Sequence, residues 1–190
     1  MLFRSATGMG GVLGRTVKAR DRFARSWGLG DRRAPLAKTP CLILTEGDPI
    51  VDPVLAPFVA KSSRSLPSEL EVAARLPLGV PDFSDNGPVW KVSIGHVLPP
   101  EMEEADAGEP AGTGPLLPVS WQRMRHDADL MDESLDPQMV VLTDALALAS
   151  RPERLVEAVL TLKQRFPGAL LWTPGLGGPD NLALLVWMGV

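Results

Sequence analysis

Cysteine and histidine are scarce in this chain. A single cysteine, Cys41, excludes an internal disulfide and any multi-cysteine zinc site, and two histidines, His96 and His126, leave little with which to hold a metal. No resident metal or cofactor is expected. No run of about 18 apolar residues occurs, so nothing reads as a membrane span. Acid is scarce at the front: nine Lys/Arg in residues 1–40 face only Asp21 and Asp31, a local charge of +7, and the whole-chain value of −4 leaves −11 for the remainder. A basic front on an acidic body suits contact with phosphate, of a nucleic acid or of an anionic surface. A solvated arm without a partner is the plainer reading of the same charges.

Proline and glycine are plentiful, 19 and 18 residues concentrated before residue 120, so the front half is expected to be loop-rich. With 190 residues and 45% hydrophobic content the chain can bury one core. Thr7-Gly-Met-Gly-Gly-Val-Leu-Gly14 is rich in glycine but has no preceding strand and no Gly-Lys-Ser/Thr ending, so it does not read as a nucleotide loop. The same glycines would weaken the amphipathic helix of an organelle transit peptide. Leu2-Phe3-Arg4-Ser5 is what the codons CTC TTC CGA TCT encode, the end of a common sequencing adapter. The hypothesis that the reading frame opens at the edge of an assembled fragment is tested by the nucleotides upstream of Ser5, where different codons exclude it.

Residues 138–190 are the part where periodicity and capping chemistry agree best. Gln138-Met-Val-Val-Leu-Thr143 is a short apolar run bounded by Asp136-Pro137 and Asp144, the profile of a parallel strand buried on both faces. Ser150-Arg-Pro-Glu153 fits a capping box, and Leu155, Val156, Val159, Leu160 and Leu162 then recur at helical spacing until Pro167-Gly168 stops the helix. Ala169-Leu-Leu-Trp-Thr173 reads as a second strand, completing a βαβ unit. Pro174-Gly-Leu-Gly-Gly-Pro179 turns the chain into a helix expected from Asp180 to Met188, with Pro179 suited to its first turn.

Earlier elements are less regular. The segment from Gly14 to Asp31 reads as a short hairpin or one irregular helix, and Thr39-Pro-Cys-Leu-Ile-Leu-Thr45 as the first core strand. Asp52 to Ala60, interrupted by Pro53 and Pro57, allows at most a short helix. Pro67-Ser-Glu-Leu-Glu-Val-Ala-Ala-Arg-Leu76 predicts a helix ended by Pro77, and Val89 to Ile94 alternates as a strand does. Residues 99–118 form an acidic Pro/Gly-rich loop or insertion, with order returning from Leu116 to Val119.

Few constellations carry chemistry. His96 and His126 each lack an identifiable base or nucleophile and read as surface or structural residues. Asp127, Asp129, Asp132 and Glu133 lack the glycine and terminal glutamate of a calcium loop. Asp144 follows a predicted parallel strand, whose carboxyl end is the functional face of such architectures; a turn aspartate bonding nearby backbone N–H groups is the alternative. Gly175, Gly177 and Asn181 share that face, where glycine lets backbone approach a ligand and a helix start favours an anion, although Asp180 competes for the same donors.

The string Leu171-Trp-Thr-Pro-Gly-Leu-Gly-Gly-Pro-Asp-Asn-Leu-Ala-Leu-Leu-Val-Trp-Met-Gly-Val190 resembles the tRNA-guanine transglycosylase superfamily, and within it the archaeal archaeosine synthase branch. Val140-Val-Leu-Thr-Asp144 and the following helix fit in order and spacing, and Thr39-Pro-Cys-Leu-Ile43 is similar to a Thr-Pro-Ala-Leu step near the family's amino end. The resemblance covers about 50 residues, with nothing aligned between 46 and 136. It implies an α/β fold, a partial (β/α)8 TIM-type barrel over residues 39–190 behind a basic segment 1–38. It also implies a cytoplasmic tRNA-modifying enzyme of the queuosine or archaeosine type, a pentosyltransferase or archaeosine synthase acting on guanine or 7-deazaguanine. In that family the nucleophilic aspartate follows Gly-Val, so its position is expected beyond Val190, and any zinc belongs to a carboxyl-terminal part absent from this chain.

On this reading Arg20, Arg22, Arg32 and Arg33 contact tRNA phosphates. Two alternatives stand beside it: a non-catalytic tRNA-binding or partner subunit with a degenerate barrel, homo-oligomeric or not, and an unrelated α/β enzyme whose glycine loop holds a phosphate. The resemblance predicts that residues 1–190 alone neither exchange guanine nor modify a deazaguanine-containing tRNA. Turnover by the purified chain in either assay would contradict that.

Overall fold

Among the described residues more lie in strands, whose side chains alternate between two faces, than in helices. The computed structural model describes residues 14–45, 47–49, 51–62, 69–75, 81, 83, 90–93, 116–125 and 136–190. Strands β1 (Arg15–Asp21), β2 (Ala24–Gly30) and β3 (Pro35–Lys38) form an antiparallel sheet in the order β1-β2-β3. Trp27, Leu29 and Ala37 are its buried side chains. A two-residue turn, Arg22-Phe23, closes the first hairpin, and Arg22 takes φ 53°, the left-handed region such turns demand and glycine usually fills. The register slips at Lys18, between the pairs Val17↔Trp27 and Ala19↔Ser26.

The second sheet has the order β4-β5-β6-β7, from β4 (Ile43–Leu44), β5 (Phe58–Ser62), β6 (Glu69–Ala74) and β7 (Trp90–Ser93). Only β4 and β5 run parallel; the other neighbours are antiparallel. Ala60 faces Val72 and Val72 faces Trp90, a buried row across three strands, and the Phe58 and Trp90 rings lie 4.9 Å apart at 52°. Such cross-strand pairs are what stabilise a sheet.

The third sheet is wholly parallel, in the order β10-β9-β8: β8 (Leu116–Val119), β9 (Met139–Leu142) and β10 (Leu170–Trp172). Helices α1 (Trp121–Met124), α2 (Ala145–Leu148), α3 (Pro152–Arg165) and α4 (Leu182–Met188) accompany it. All four residues of β9 are buried, and strand alternation divides them. Val140 and Leu142 join the helices in one core; Met139 and Val141 join Trp27, Phe58 and Trp90 in the other. Full burial of a Val or Leu side chain is worth about 1.5–3 kcal/mol, so β9 contributes to both cores at once.

The (β/α)8 barrel is therefore corrected. The described residues form two sheets of three strands and one of four, two of the three largely antiparallel, instead of one closed parallel ring. The basic front pairs with itself as a hairpin and third strand. Residues 67–76, predicted as a helix, contain β6: Leu70, Val72 and Ala74 alternate with Glu71 and Ala73, and pairing on both sides by β5 and β7 overrides the helical propensity of Glu, Leu and Ala. Residues 52–60 make a turn and then β5, not a helix. The first core strand expected at 40–45 shrinks to two half-buried residues preceded by three other strands.

After residue 138 both strands, α3 and α4 fall where expected, with two corrections at helix starts, and α2 is a short helix beyond those expected. Ser150 forms no capping box. Its hydroxyl donates to the Ala147 carbonyl (3.0 Å) at the end of α2, and α3 begins one residue later than a Ser150 cap requires, with Arg151 at the cap position. Helix α4 starts at Leu182 with Asn181 as cap, so Pro179 and Asp180 lie in the preceding turn. Residues 7–13 and 99–115, His96, His126 and the acids Asp127, Asp129, Asp132 and Glu133 lie outside the described residues. Among the described residues no helix is long and apolar enough to cross a membrane.

The turn predicts one substitution. Arg22→Gly should raise stability by about 0.5–1 kcal/mol, because relief of a left-handed side chain exceeds the added freedom of the unfolded chain. Urea unfolding measures it, and a lower midpoint for the glycine variant would contradict the assignment.

Candidate functional site

The Asp144 carboxylate, 5% exposed, acts on backbone rather than on a ligand. Oδ1 accepts from the Trp121 N–H (3.0 Å), and Oδ2 accepts from the Gln122 N–H (3.2 Å) and the Ser120 hydroxyl (3.1 Å). These donors open α1, directly after β8, the neighbour of β9 in the sheet. Asp144 thus caps a helix 22–24 residues away in the chain, occupying the donors that such a start leaves free. The local-turn alternative was right about the kind of donor but wrong about where it comes from.

The glycine loop is a wall, not a phosphate cradle. Gly175 has φ 80°, which favours glycine, and lies against Leu146 of α2. Helix α4 has seven residues, too short for a strong terminal dipole, and Asn181 makes no side-chain cap bond. Gly175 and Gly177, with Leu182 and Leu185, border a cavity of about 290 Å³. Its opposite walls carry Trp27, Phe58, Trp90 and Trp172, brought from β2, β5, β7 and β10. Of the four residues expected on one face, the structure puts Gly175 and Gly177 at this cavity and commits Asp144 to α1.

Polar groups at the cavity are few. Thr39 ties β3 to β2: its N–H donates to the Trp27 carbonyl (2.9 Å) and its Oγ1 accepts from the Trp27 N–H (3.1 Å). Burial pushes the Cys41 thiol from its ordinary 9.0 up to about 11, so it is protonated and unreactive at neutral pH. Arg25 shares the inward parity of Trp27 and Leu29 on β2, and all three line the cavity. Its Nε is buried without a hydrogen-bond partner. Burial, and Arg20 facing it across the hairpin, lower its guanidinium from the usual value.

Lys163, on the last turn of α3, is 5% exposed and donates to the Ala169 carbonyl (3.3 Å). Burial first, and Arg25 second, push it down to about 8. Gly189 sits between these elements at φ 88°, where a side chain would collide with the Phe23 carbonyl and come within 3.1 Å of Lys163 Cε.

The four arginines proposed for phosphate contact are exposed but form two groups, not one. Arg20 and Arg22 stand at the β1–β2 turn, and Arg32 and Arg33 between β2 and β3, at the other end of β2. Lys18 links them, its Nζ reaching 3.5 Å from the Arg32 carbonyl. The Asp31 carboxylate is occupied by the Arg33 and Ala34 amides (2.6 and 3.3 Å). Sequence reasoning missed Arg25, Lys163 and the three cavity tryptophans. Arg25 alone left a signal, an Arg-Xaa-Trp-Xaa-Leu alternation that puts a cation in register with core residues.

Among the described residues no group of three His, Cys, Asp or Glu could hold a metal ion. No family model, curated protein or solved structure matches the chain.

Two buried groups set an alkaline signature. Lys163 falls from 10.5 unfolded to about 8 folded, so the stability it contributes is present above 10.5 and lost as pH falls through about 8. Cys41 rises from 9.0 to about 11, so its contribution is present below 9.0 and lost as pH rises towards about 11. Between pH 8 and 9 Lys163 acts alone, and stability should climb by up to about 1 kcal/mol; above 9 the two oppose. The urea midpoint of Lys163→Met should lack that climb, and an unchanged climb in the variant would contradict the assignment.

Proposed function

We propose that this chain binds RNA through the β1–β3 sheet and belongs to an enzyme that modifies a base of tRNA, the activity implied by its resemblance to the transglycosylase and archaeosine synthase families. One observation carries the binding half. Lys18, Arg20, Arg22, Arg32 and Arg33 are all exposed on one small sheet, and among the described residues none makes an ion pair with a carboxylate. β2 has seven residues and spans roughly 20 Å, so cations at both its ends suit a strand of phosphates running along it. Their separation favours an extended backbone over a single phosphate. Arg15 is set apart from this set: its guanidinium lies 5.9 Å from the Trp27 ring centre.

The barrel forms no part of this proposal, and no catalytic residue is assigned. The phosphate-binding enzyme reading draws little support from α4, whose seven residues give only a weak dipole at its start.

The test is the salt dependence of tRNA binding. Each phosphate contact adds about −0.7 to −0.9 to the slope of log affinity against log salt. Replacing Arg20, Arg22, Arg32 and Arg33 together by Gln should make that slope shallower by about 3, with the unfolding midpoint little changed because all four are exposed. An unchanged slope, or binding that is indifferent to salt, would overturn the reading.

A further inference from the structure

The cavity, the half-buried Arg25 on its wall and the buried Lys163 nearby have no role in the RNA reading. A strand that places Trp27 and Leu29 against the core would ordinarily carry an apolar residue at the third inward position, and this one carries Arg25. Its buried Nε lacks a partner, and buried polar atoms are seldom left so without an unseen ion or water to satisfy them. Gly189 forms part of the cavity wall with Arg25 and has Lys163 against it. Arg25 adds to the burial that holds the Lys163 ammonium down, Arg20 bears on Arg25 in the same way, and no described carboxylate pairs with Arg25 or Lys163. The carboxyl end of α4 supplies only a weak dipole to this corner. Trp27, Trp90 and Trp172 also line this space of about 290 Å³, near the lower end of ligand pockets at about 300 Å³.

We propose that this cavity binds a planar aromatic group bearing a negative charge, with the ring among Trp27, Trp90 and Trp172 and the acidic group against Arg25. A charge-assisted bond to Arg25 Nε satisfies the orphan donor. The indole rings supply stacking surface that tolerates many ring types, so the charge sets the selectivity. A free nucleotide and a nucleotide within an RNA strand share this chemistry. The inference does not depend on the RNA reading, because Arg32 and Arg33, at the far end of β2, have no part in it.

Quenching of tryptophan fluorescence in the intact chain tests it, with adenosine 5′-monophosphate, adenosine and inorganic phosphate as probes. The monophosphate should bind at least about tenfold more tightly than adenosine, as a charged hydrogen bond implies, and phosphate alone should quench little. Arg25→Met should remove that preference and still fold, since a half-buried cation with no carboxylate partner gives way to an apolar side chain of similar length that keeps its packing. Arg25→Lys should retain most of the preference. Arg32→Gln/Arg33→Gln should weaken tRNA binding and leave the nucleotide affinity unchanged, so the two proposals fail separately. Displacement of the nucleotide by tRNA identifies an RNA residue as the ligand, and independent binding identifies a free molecule; either supports the site. Equal affinity for adenosine and its monophosphate, no quenching by the monophosphate, or an Arg25→Met variant that is folded and binds as before would overturn it.

Discussion

Burial of β9 on both faces is the constraint on which the other parts depend. Four residues, Met139 to Leu142, contribute alternately to a helix-covered core and to a core shared by all three sheets. A strand with two apolar faces cannot lie at the surface, so something must cover each side. Helices α2, α3 and α4 lie with one side; the antiparallel sheets lie with the other. A one-residue slip would exchange the two sets and leave Val140 and Leu142 among the tryptophans, which is why the register is well specified. Asp144, immediately beyond, extends the same logic by capping α1 across the sheet. It links the end of β9 to the start of the helix after β8.

The position of the basic sheet follows from this arrangement. Trp27 reaches the shared core and is held by reciprocal bonds with Thr39, while the β1–β2 turn is braced by Gly189 under the Phe23 carbonyl. Close approach there requires a residue without Cβ, so the end of α4 and the tip of the hairpin are fixed relative to each other. The exposed cations are carried on that frame. The cavity is what remains where three sheets and α4 meet without filling the space between their aromatic side chains.

How much of this was legible depended on how local each cause was. β9, α3 and β10 could be read from the sequence because their signals are contained in short windows: a bounded apolar run, a 3.6-residue period, a Pro-Gly stop. β6 was not, because Leu70, Val72 and Ala74 sit among good helix formers and only β5 and β7 beside them decide the matter. Ser150 offers a sound capping pattern, but α3 starts one residue later, at Pro152, and the hydroxyl turns back to the Ala147 carbonyl. The resemblance of residues 171–190 carried the barrel expectation, and a short string near one strand and one helix does not determine how sheets elsewhere assemble. The cavity was invisible for a related reason. Trp27, Trp90 and Trp172 are separated by more than 60 residues each, and nothing local says that they meet.

The proposed nucleic-acid surface is the β1–β3 sheet, with β9 and its helices as the frame behind it. Hydrogen–deuterium exchange of the chain with and without tRNA tests it directly. The account predicts added protection in residues 15–38 and unchanged exchange in residues 152–165. Protection confined to 152–165, or none in 15–38 at saturating tRNA, would contradict it.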